Sequence, residues 1–229
     1  MNRVEIDGLI FDCRPDTSDE KAVREVVERK GYARRDFMPS PGEKWLDIGC
    51  NIGAFAVWAA SWGATVEAYE PDPDSCEQAR HNVALNGMEK YVAVHQAALI
   101  PGSEKKTMTL HRNTARGNVW RNSLYKPWRG GSEVEVECIP VADVWDSAMH
   151  VKLDAEGAEM PILEQQMDYP PARLVFEWSF DIDPSIVRFD AVIAGLQKRY
   201  SRVQYGKIAP GHETWPGEWF PPCRTVWCD

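Results

Sequence analysis

The chain has 229 residues, enough for one α/β domain that buries a single sizeable core. No apolar run approaches the ~20 residues of a membrane helix, and the first residues lack the apolar stretch of a signal peptide, so no membrane partner and cytoplasmic residence are expected. A net charge of −9 makes a nucleic-acid partner unlikely on electrostatic grounds, and six scattered cysteines without a C-x-x-C pair read as reduced structural thiols, with a Cys223–Cys228 bridge as the weaker alternative.

In chain order, alternation around Asp7-Gly8 predicts a small hairpin, Arg3 to Ile6 and Leu9 to Cys13. Ser18 is placed to cap a helix running to about Lys30, with Gly31 at its end. This N-terminal arm, residues 1–42, is expected to cover a ligand cleft. Residues 44 to 55 read as a buried strand, a tight glycine loop and the start of a helix. Asp47, Gly49, Asn51 and Gly53 fall at alternating positions, a D-x-G-x-N-x-G pattern distinct from the G-x-G-x-x-G of a dinucleotide fold. A glycine turn at the carboxyl end of a strand lets a ligand approach the backbone closely.

Ala54 to Trp62 is predicted helical. A second strand, 65–69, ends at Glu70, about 20 residues beyond the glycine loop, where open α/β sheets place an acid that accepts hydrogen bonds from a ribose diol. A helix follows from Pro73 to Asn86, then a strand from Tyr91 to Leu99. Residues 105–112 and 133–139 alternate and predict a hairpin-like excursion. From Lys105 to Arg129 the chain carries seven basic residues and no acid. Arg116, Asn118, Arg121, Ser123 and Trp128 in that stretch are candidate substrate contacts, because arginine forks suit phosphate or carboxylate and a tryptophan face suits a sugar or base. They favour an anionic acceptor. A strand at 150–154, a helix at 158–167, a strand at 173–178, a helix from Pro184 to Arg199 capped by Asp183, and terminal strands at 201–208 and 224–228 complete the chain. The alternation predicts a doubly wound α/β fold with a Rossmann-like, mostly parallel seven-stranded sheet. The chain reads as one domain: the arm, a core over 43–180, and a C-terminal helix and strands over 181–229.

Residues 150–159 hold a second constellation. Period two puts Lys152 and Asp154 on one face of their strand, a tight Glu156-Gly157 turn follows, and Glu159 opens the next helix. The following strand delivers Glu177 to the same edge. Several ionisable groups at a strand mouth, where open sheets bind ligands, are more than packing requires.

Taken together, L-D-I-G-C-N-I-G-A-F, Y-E-P-D-P, the Asn82/Asn86 helix, Q-A-A-L at 96–99, V-K-L-D-A-E-G-A-E and the strand with Glu177 resemble the FkbM family of class I S-adenosylmethionine (SAM) methyltransferases, in that family's order and over roughly residues 43–180. Ala155 departs from the family pattern, which commonly has a β-branched residue there. The resemblance implies SAM-dependent methylation, usually at oxygen and often on a sugar or natural-product hydroxyl. It implies a cofactor site of Asp47, Gly49, Cys50, Asn51, Gly53, Glu70, Pro71, Gln96, Ala97 and Asp154. Catalytic candidates are Asp154 first, to orient or deprotonate the acceptor hydroxyl, then Glu156 and Glu177, with Lys152 orienting Asp154 or binding an anionic group. A bracing ion-pair network of Lys152, Asp154, Glu156 and Glu159 is the structural alternative. Asp154, Glu177 and Asp181 are hard oxygen donors that suit Mg²⁺, but their spacing does not demand a metal and none is assigned. Two other functions compete. An RNA ribose methyltransferase would carry a Lys-Asp-Lys-Glu tetrad, whose second lysine is lacking near Glu177, and a non-catalytic SAM-binding subunit would have no need of Asp154 and Glu156.

Overall fold

The computed structural model describes residues 1–34, 37–114, 117–205 and 223–229. A hairpin of β1 (Asn2–Ile6) and β2 (Leu9–Cys13) opens the chain, followed by helix α1 (Asp19–Val23), which runs on into a π-helical turn, Arg24–Glu28. The central sheet then begins at β3 (Lys44–Ile48) and continues through α2 (Ala54–Ser61), β4 (Thr65–Tyr69), α3 (Pro73–Leu85) and β5 (Val92–His95). An excursion of β6 (Ala98–Ile100), β7 (Lys106–Arg112) and β8 (Ser132–Pro140) forms its own three-stranded sheet, ordered β6-β8-β7. The chain returns to the central sheet with β9 (His150–Leu153), α4 (Glu159–Gln166), β10 (Arg173–Ser179), α5 (Ile186–Leu196), β11 (Val203–Tyr205) and β12 (Cys223–Cys228).

The central sheet has seven strands in the order β11-β12-β10-β9-β3-β4-β5. β10, β9, β3, β4 and β5 run parallel, and β12 is antiparallel to both its neighbours. From β3 the chain winds outward through β4 and β5. From β9 it winds the other way. The strand order therefore reverses between β3 and β9, the position where doubly wound sheets open a crevice at the carboxyl ends of their strands. Alternation along β3 explains the two-sided burial. Trp45 packs with α2, the arm and the β1–β2 hairpin, whereas Leu46 and Ile48 pack with α4 and α5 on the opposite face.

Four sequence expectations are corrected. The strand predicted over 91–99 is two strands in two sheets. Ala98, Leu99 and Ile100 are all buried, which an edge strand of the central sheet cannot provide, so the chain breaks at Gln96-Ala97 and Ala98 pairs instead with Cys138 on β8. Ser18 makes no side-chain cap, because Thr17 Oγ1 accepts from the Asp19 amide while the Ser18 amide donates to the Gly117 carbonyl at 2.8 Å. Its helix is shorter than expected, giving way to the π-turn that ends at Glu28. Helix α5 is capped by Ser185, whose Oγ accepts from the Arg188 amide, while Asp183 takes the Arg188 guanidinium. Cys13, Cys50, Cys76, Cys138 and Cys228 are buried free thiols, so Cys228 bridges nothing. Among the described residues no helix is long and apolar enough to cross a membrane.

The ends of β3 and β9 meet closely. Gly49 sits at φ +78°, and a Cβ there would lie 1.8 Å from the Asp154 carbonyl oxygen. Gly42 has a similar φ of +83°, and a Cβ placed there would meet nothing within 4 Å, so the two positions separate backbone strain from collision. Gly42→Ala is expected to cost about 1 kcal/mol and Gly49→Ala about 3 kcal/mol or more, read from denaturant unfolding. Equal costs at the two positions would contradict the close approach.

Candidate active site

A cavity of about 520 Å³ opens over the carboxyl ends of β3, β4 and β9. The glycine loop forms its floor, Glu70 and Pro71 one wall, and Ala97 to Leu99 another. The arm covers it with Lys21, Glu25, Arg29 and Tyr32, and the excursion adds Asn118 to Asn122. Arm and excursion are fastened to each other by the Ser18–Gly117 backbone bond and by Lys21 Nζ, 4.4 Å above the Trp120 ring. The expectation that the arm covers a cleft agrees with this arrangement.

The loop geometry follows from its residues. Gly49 and Cys50 donate their amides to the Tyr69 carbonyl, Asn51 adopts φ +51°, and Gly53 at φ +81° starts α2. The left-handed Asn51 is a conformation asparagine tolerates better than most residues. It turns the Asn51 amide toward Glu70, whose Oε2 accepts it at 2.8 Å, while Oε1 accepts the Asp72 amide at 2.9 Å. A carboxylate has about four acceptor positions, so two remain for a diol. Burial pushes the Glu70 carboxyl up to about 7, against the two amides that favour its ionised form. Asn51 Oδ1 is buried and takes no hydrogen bond from the described residues, leaving an acceptor for a ligand donor. These features fit an adenosyl ligand: a diol acceptor, an unfilled acceptor in the glycine loop, and the first amides of α2, which a helix leaves without intrahelical partners.

Lys152 and Asp47 are register partners on β9 and β3. Lys152 Nζ lies 3.1 Å from Asp47 Oδ1, donates to the Gly49 carbonyl at 2.6 Å, and sits 3.8 Å from Asp154 Oδ2. Lys152 and Asp47 are both buried. Burial alone would lower the Lys152 ammonium, but the carboxylates of Asp47 and Asp154 outweigh it and hold it above its ordinary value. Lys152 is therefore engaged at the joint between the two strands, where it also lines the cavity.

Asp154 follows β9 and reaches the cavity, with its side chain about a quarter exposed (24%). The next turn is braced from below. Buried Glu159 accepts the Ala155 amide at 2.8 Å and the Gly157 amide at 2.9 Å, and burial together with the Asp154 charge pushes its carboxyl up to about 8. Glu156 at φ +48° is held by Arg121 Nε at 3.0 Å and by Ser179 Oγ at 3.1 Å. Burial drives its carboxyl well above the usual range, with Arg121 opposing. Glu177 lines the same cavity from β10. Of the bracing network considered from sequence, Lys152, Glu156 and Glu159 are engaged in structure as that alternative described. Asp154 is the member with an oxygen left over.

The structure brings together Gly49, Cys50, Asn51, Glu70, Pro71, Ala97 and Asp154 of the expected cofactor set, and Lys152, Asp154, Glu156 and Glu177 of the expected catalytic set. Asp47 does not line the cavity, because its carboxylate turns into the protein toward Lys152. Gly53 stands behind the loop against Ala79, and Gln96 is exposed where β5 and β6 part. Among the substrate candidates, Asn118 and Arg121 line the cavity. Arg121 is committed to Glu156 and to Asp181 at 2.6 Å, Lys126 to Asp181 at 2.8 Å, and Arg112 to Asp72 at 2.5 Å, so three bases of the stretch are answered within the chain, while Arg129 is exposed. Ser123 donates to the Glu156 carbonyl and accepts the Tyr125 and Lys126 amides, a turn-stabilising role away from the cavity. Trp128 stacks beneath Lys126 at 4.5 Å rather than lining the cavity. Arg116 lies outside the described residues. Asp181, the third potential metal donor, is held by two cations, and the described residues contain no His/Cys/Asp/Glu cluster arranged for a metal.

Sequence reasoning missed Tyr32. Its hydroxyl lies 2.7 Å from Asp154 Oδ2 and 3.1 Å from Glu177 Oε2, across 122 and 145 residues of chain. The available signal was an aromatic residue directly after the Gly31 stop of an arm expected to cover the cleft.

Comparison with known proteins agrees with this geometry. The family model for the methyltransferase FkbM domain matches residues 47–202. A 57-residue stretch is 42% identical to the 23S rRNA (uracil(1939)-C(5))-methyltransferase RlmD of Shewanella sp. (strain MR-4), covering 25% of this chain and 13% of that protein. A 65-residue stretch is 40% identical to the ribosomal protein L11 methyltransferase of Bacillus cereus (strain B4264), covering 28% of this chain and 21% of that protein. The chain thus matches well under a third of the length of these curated relatives. The crystal structure of methyltransferase FkbM from Methylobacillus flagellatus KT superposes with a TM-score of 0.53 at 15% identity, over 90% of this chain and 47% of that one, and shares the fold. Since the matched domain spans more than half of the sequence, the chain belongs to the FkbM methyltransferase family.

Proposed function

We propose that the protein is a SAM-dependent O-methyltransferase whose acceptor is a hydroxyl of a sugar, glycoconjugate or natural product. The observation that carries this reading is Asp154: a partly exposed carboxylate at the switch-point edge of the sheet, in one cavity with the glycine loop and Glu70. When bound, SAM supplies an activated methyl group on a sulfonium. The chain must then hold the donor, align a hydroxyl and receive its proton. Glu70 holds the ribose diol, and the Gly49–Gly53 loop with the first turn of α2 receives the amino-acid end. Asp154 accepts the acceptor hydroxyl. An ordinary carboxylate is a weak base toward an alcohol, so alignment supplies most of the rate and the proton moves late.

The ion pairs of the basic stretch bear on the acceptor. Arg121 is answered by Glu156 and Asp181, and Glu25, Glu70, Asp154 and Glu177 face the same cavity as Lys21 and Arg29, so it offers an uncharged polyol more than it offers a polyanion. The net charge of −9 points the same way and disfavours RNA ribose methylation.

The test is transfer of tritiated methyl from SAM to a panel of methyl hexosides, nucleoside-diphosphate hexoses and short RNA. Methylation of hexosides is expected, and Asp154→Asn should lower turnover about 100-fold or more while S-adenosylhomocysteine (SAH) affinity stays within about threefold. Full activity in Asp154→Asn would remove the proposed role, and methylation of RNA alone would favour the ribose reading.

A pH dependence follows from Glu70. Its ionised form accepts the diol best, and its carboxyl sits at about 7 in the folded protein, so SAH affinity should rise as pH increases from 6 to 8. The ionised fraction grows roughly tenfold over that window, and affinity should follow it. Glu70→Gln should bind more weakly and lose that share of the slope, leaving only the ligand's own titration. Calorimetry across the range reads both. Identical slopes in the two proteins would contradict a diol held by Glu70.

A further inference from the structure

We propose that Tyr32, supplied by the N-terminal arm, is the positioning residue that sets Asp154 for the acceptor hydroxyl. The inference rests on the assignment of Asp154 as the acceptor-facing carboxylate. It adds a residue that lies outside the segment matched by the family model.

Among the described residues, the contacts of Tyr32 and Lys152 to the Asp154 carboxylate fall on one oxygen. Tyr32 Oη gives its single proton to Oδ2 at 2.7 Å, the shorter of its two carboxylate contacts, with Glu177 Oε2 at 3.1 Å, and Lys152 Nζ stands off from the same Asp154 oxygen at 3.8 Å. Among the described residues, no group bonds to Oδ1. The side chain is about a quarter exposed, and Asp154 is part of the cavity wall. A carboxylate anchored through one oxygen presents the other in a fixed direction, which is what alignment of a hydroxyl requires. The anchor is itself held. Tyr32 is only 8% exposed, its ring meets the edge of Phe55 at 5.8 Å, and its carbonyl accepts Trp227 Nε1 at 3.1 Å. Its hydroxyl therefore enters the site on a packed ring whose backbone is tied to β12.

Lys152 explains why an anchor is needed. The ammonium already bonds to the Gly49 carbonyl and pairs with Asp47, and it lies near enough to attract Asp154 as well. Without the phenol, the carboxylate is free to swing onto Lys152 and withdraw from the cavity. Tyr32 holds it on the acceptor side. Because residues 21 to 32 also cover the cavity, the carboxylate is set in place by the same segment that closes the site.

The test compares crystal structures of the SAH complexes of the wild type and Tyr32→Phe, a change that keeps the ring and its packing. In the variant, Asp154 is expected to turn toward Lys152, closing the 3.8 Å separation to an ion pair of about 3 Å. With methyl hexosides and tritiated SAM, kcat should fall about 10- to 100-fold while KM and SAH affinity stay within about threefold. The double variant Tyr32→Phe/Asp154→Asn should be no slower than Asp154→Asn alone, because the phenol acts through that carboxylate. An unmoved Asp154 in the Tyr32→Phe complex, or rate losses that multiply in the double variant, would overturn the proposal. If Asp154→Asn is slow and Tyr32→Phe is not, the Tyr32 role alone fails. If Asp154→Asn keeps wild-type turnover, the underlying assignment fails and takes the Tyr32 role with it.

Discussion

The buried pairing of Lys152 with Asp47 is the constraint on which the site depends. It joins β3 and β9 where the strand order reverses, so the glycine loop that follows one strand and the Asp154 turn that follows the other emerge side by side. A buried ion pair is costly to desolvate, and removing one partner leaves an uncompensated charge. Here the cost is offset by geometry. Lys152 also donates to the Gly49 carbonyl, and Gly49 has no side chain to keep the Asp154 carbonyl away. The pairing and the glycine are two halves of one solution: strands close enough to share a cation must have nothing between them.

From that joint the acids divide by environment. Glu70 and Glu159 both accept two backbone amides in buried positions, and in each burial raises the carboxyl despite the amides. Their first effect is to fix turns, at Asn51 on one side and at Glu156-Gly157 on the other. Glu156 and Asp181 are answered by Arg121 and Lys126 from the excursion, which fastens that segment over the Glu156-Gly157 turn. Asp154 keeps an oxygen for the cavity. The cavity-facing carboxylates are thus supported by neighbours that fix their turns.

Much of this was legible in the sequence because it is local. The D-x-G-x-N-x-G pattern needs only a strand, a glycine turn and a helix, and the interval to Glu70 is one βαβ step. The period-two placement of Lys152 and Asp154 put them on one strand face. What sequence could not resolve is pairing between distant segments. Arg121 meets Asp181 across 60 residues and Arg112 meets Asp72, so part of the run of bases that suggested an anionic ligand is answered inside the chain. The break between β5 and β6 was hidden because a continuous apolar stretch does not show which sheet each half will join. Tyr32 carries no spacing signal at all, since its partners lie on β10 and just beyond β9.

The central claim is that one cavity, framed by the glycine loop, Glu70 and Asp154, receives the methyl donor beside the acceptor. A crystal structure of the protein grown with SAH tests it most directly. The account predicts the ribose hydroxyls on the Glu70 carboxylate, the amino-acid end over residues 49–53, and the thioether sulfur facing Asp154. SAH bound elsewhere, or bound here with its ribose turned away from Glu70, would contradict it.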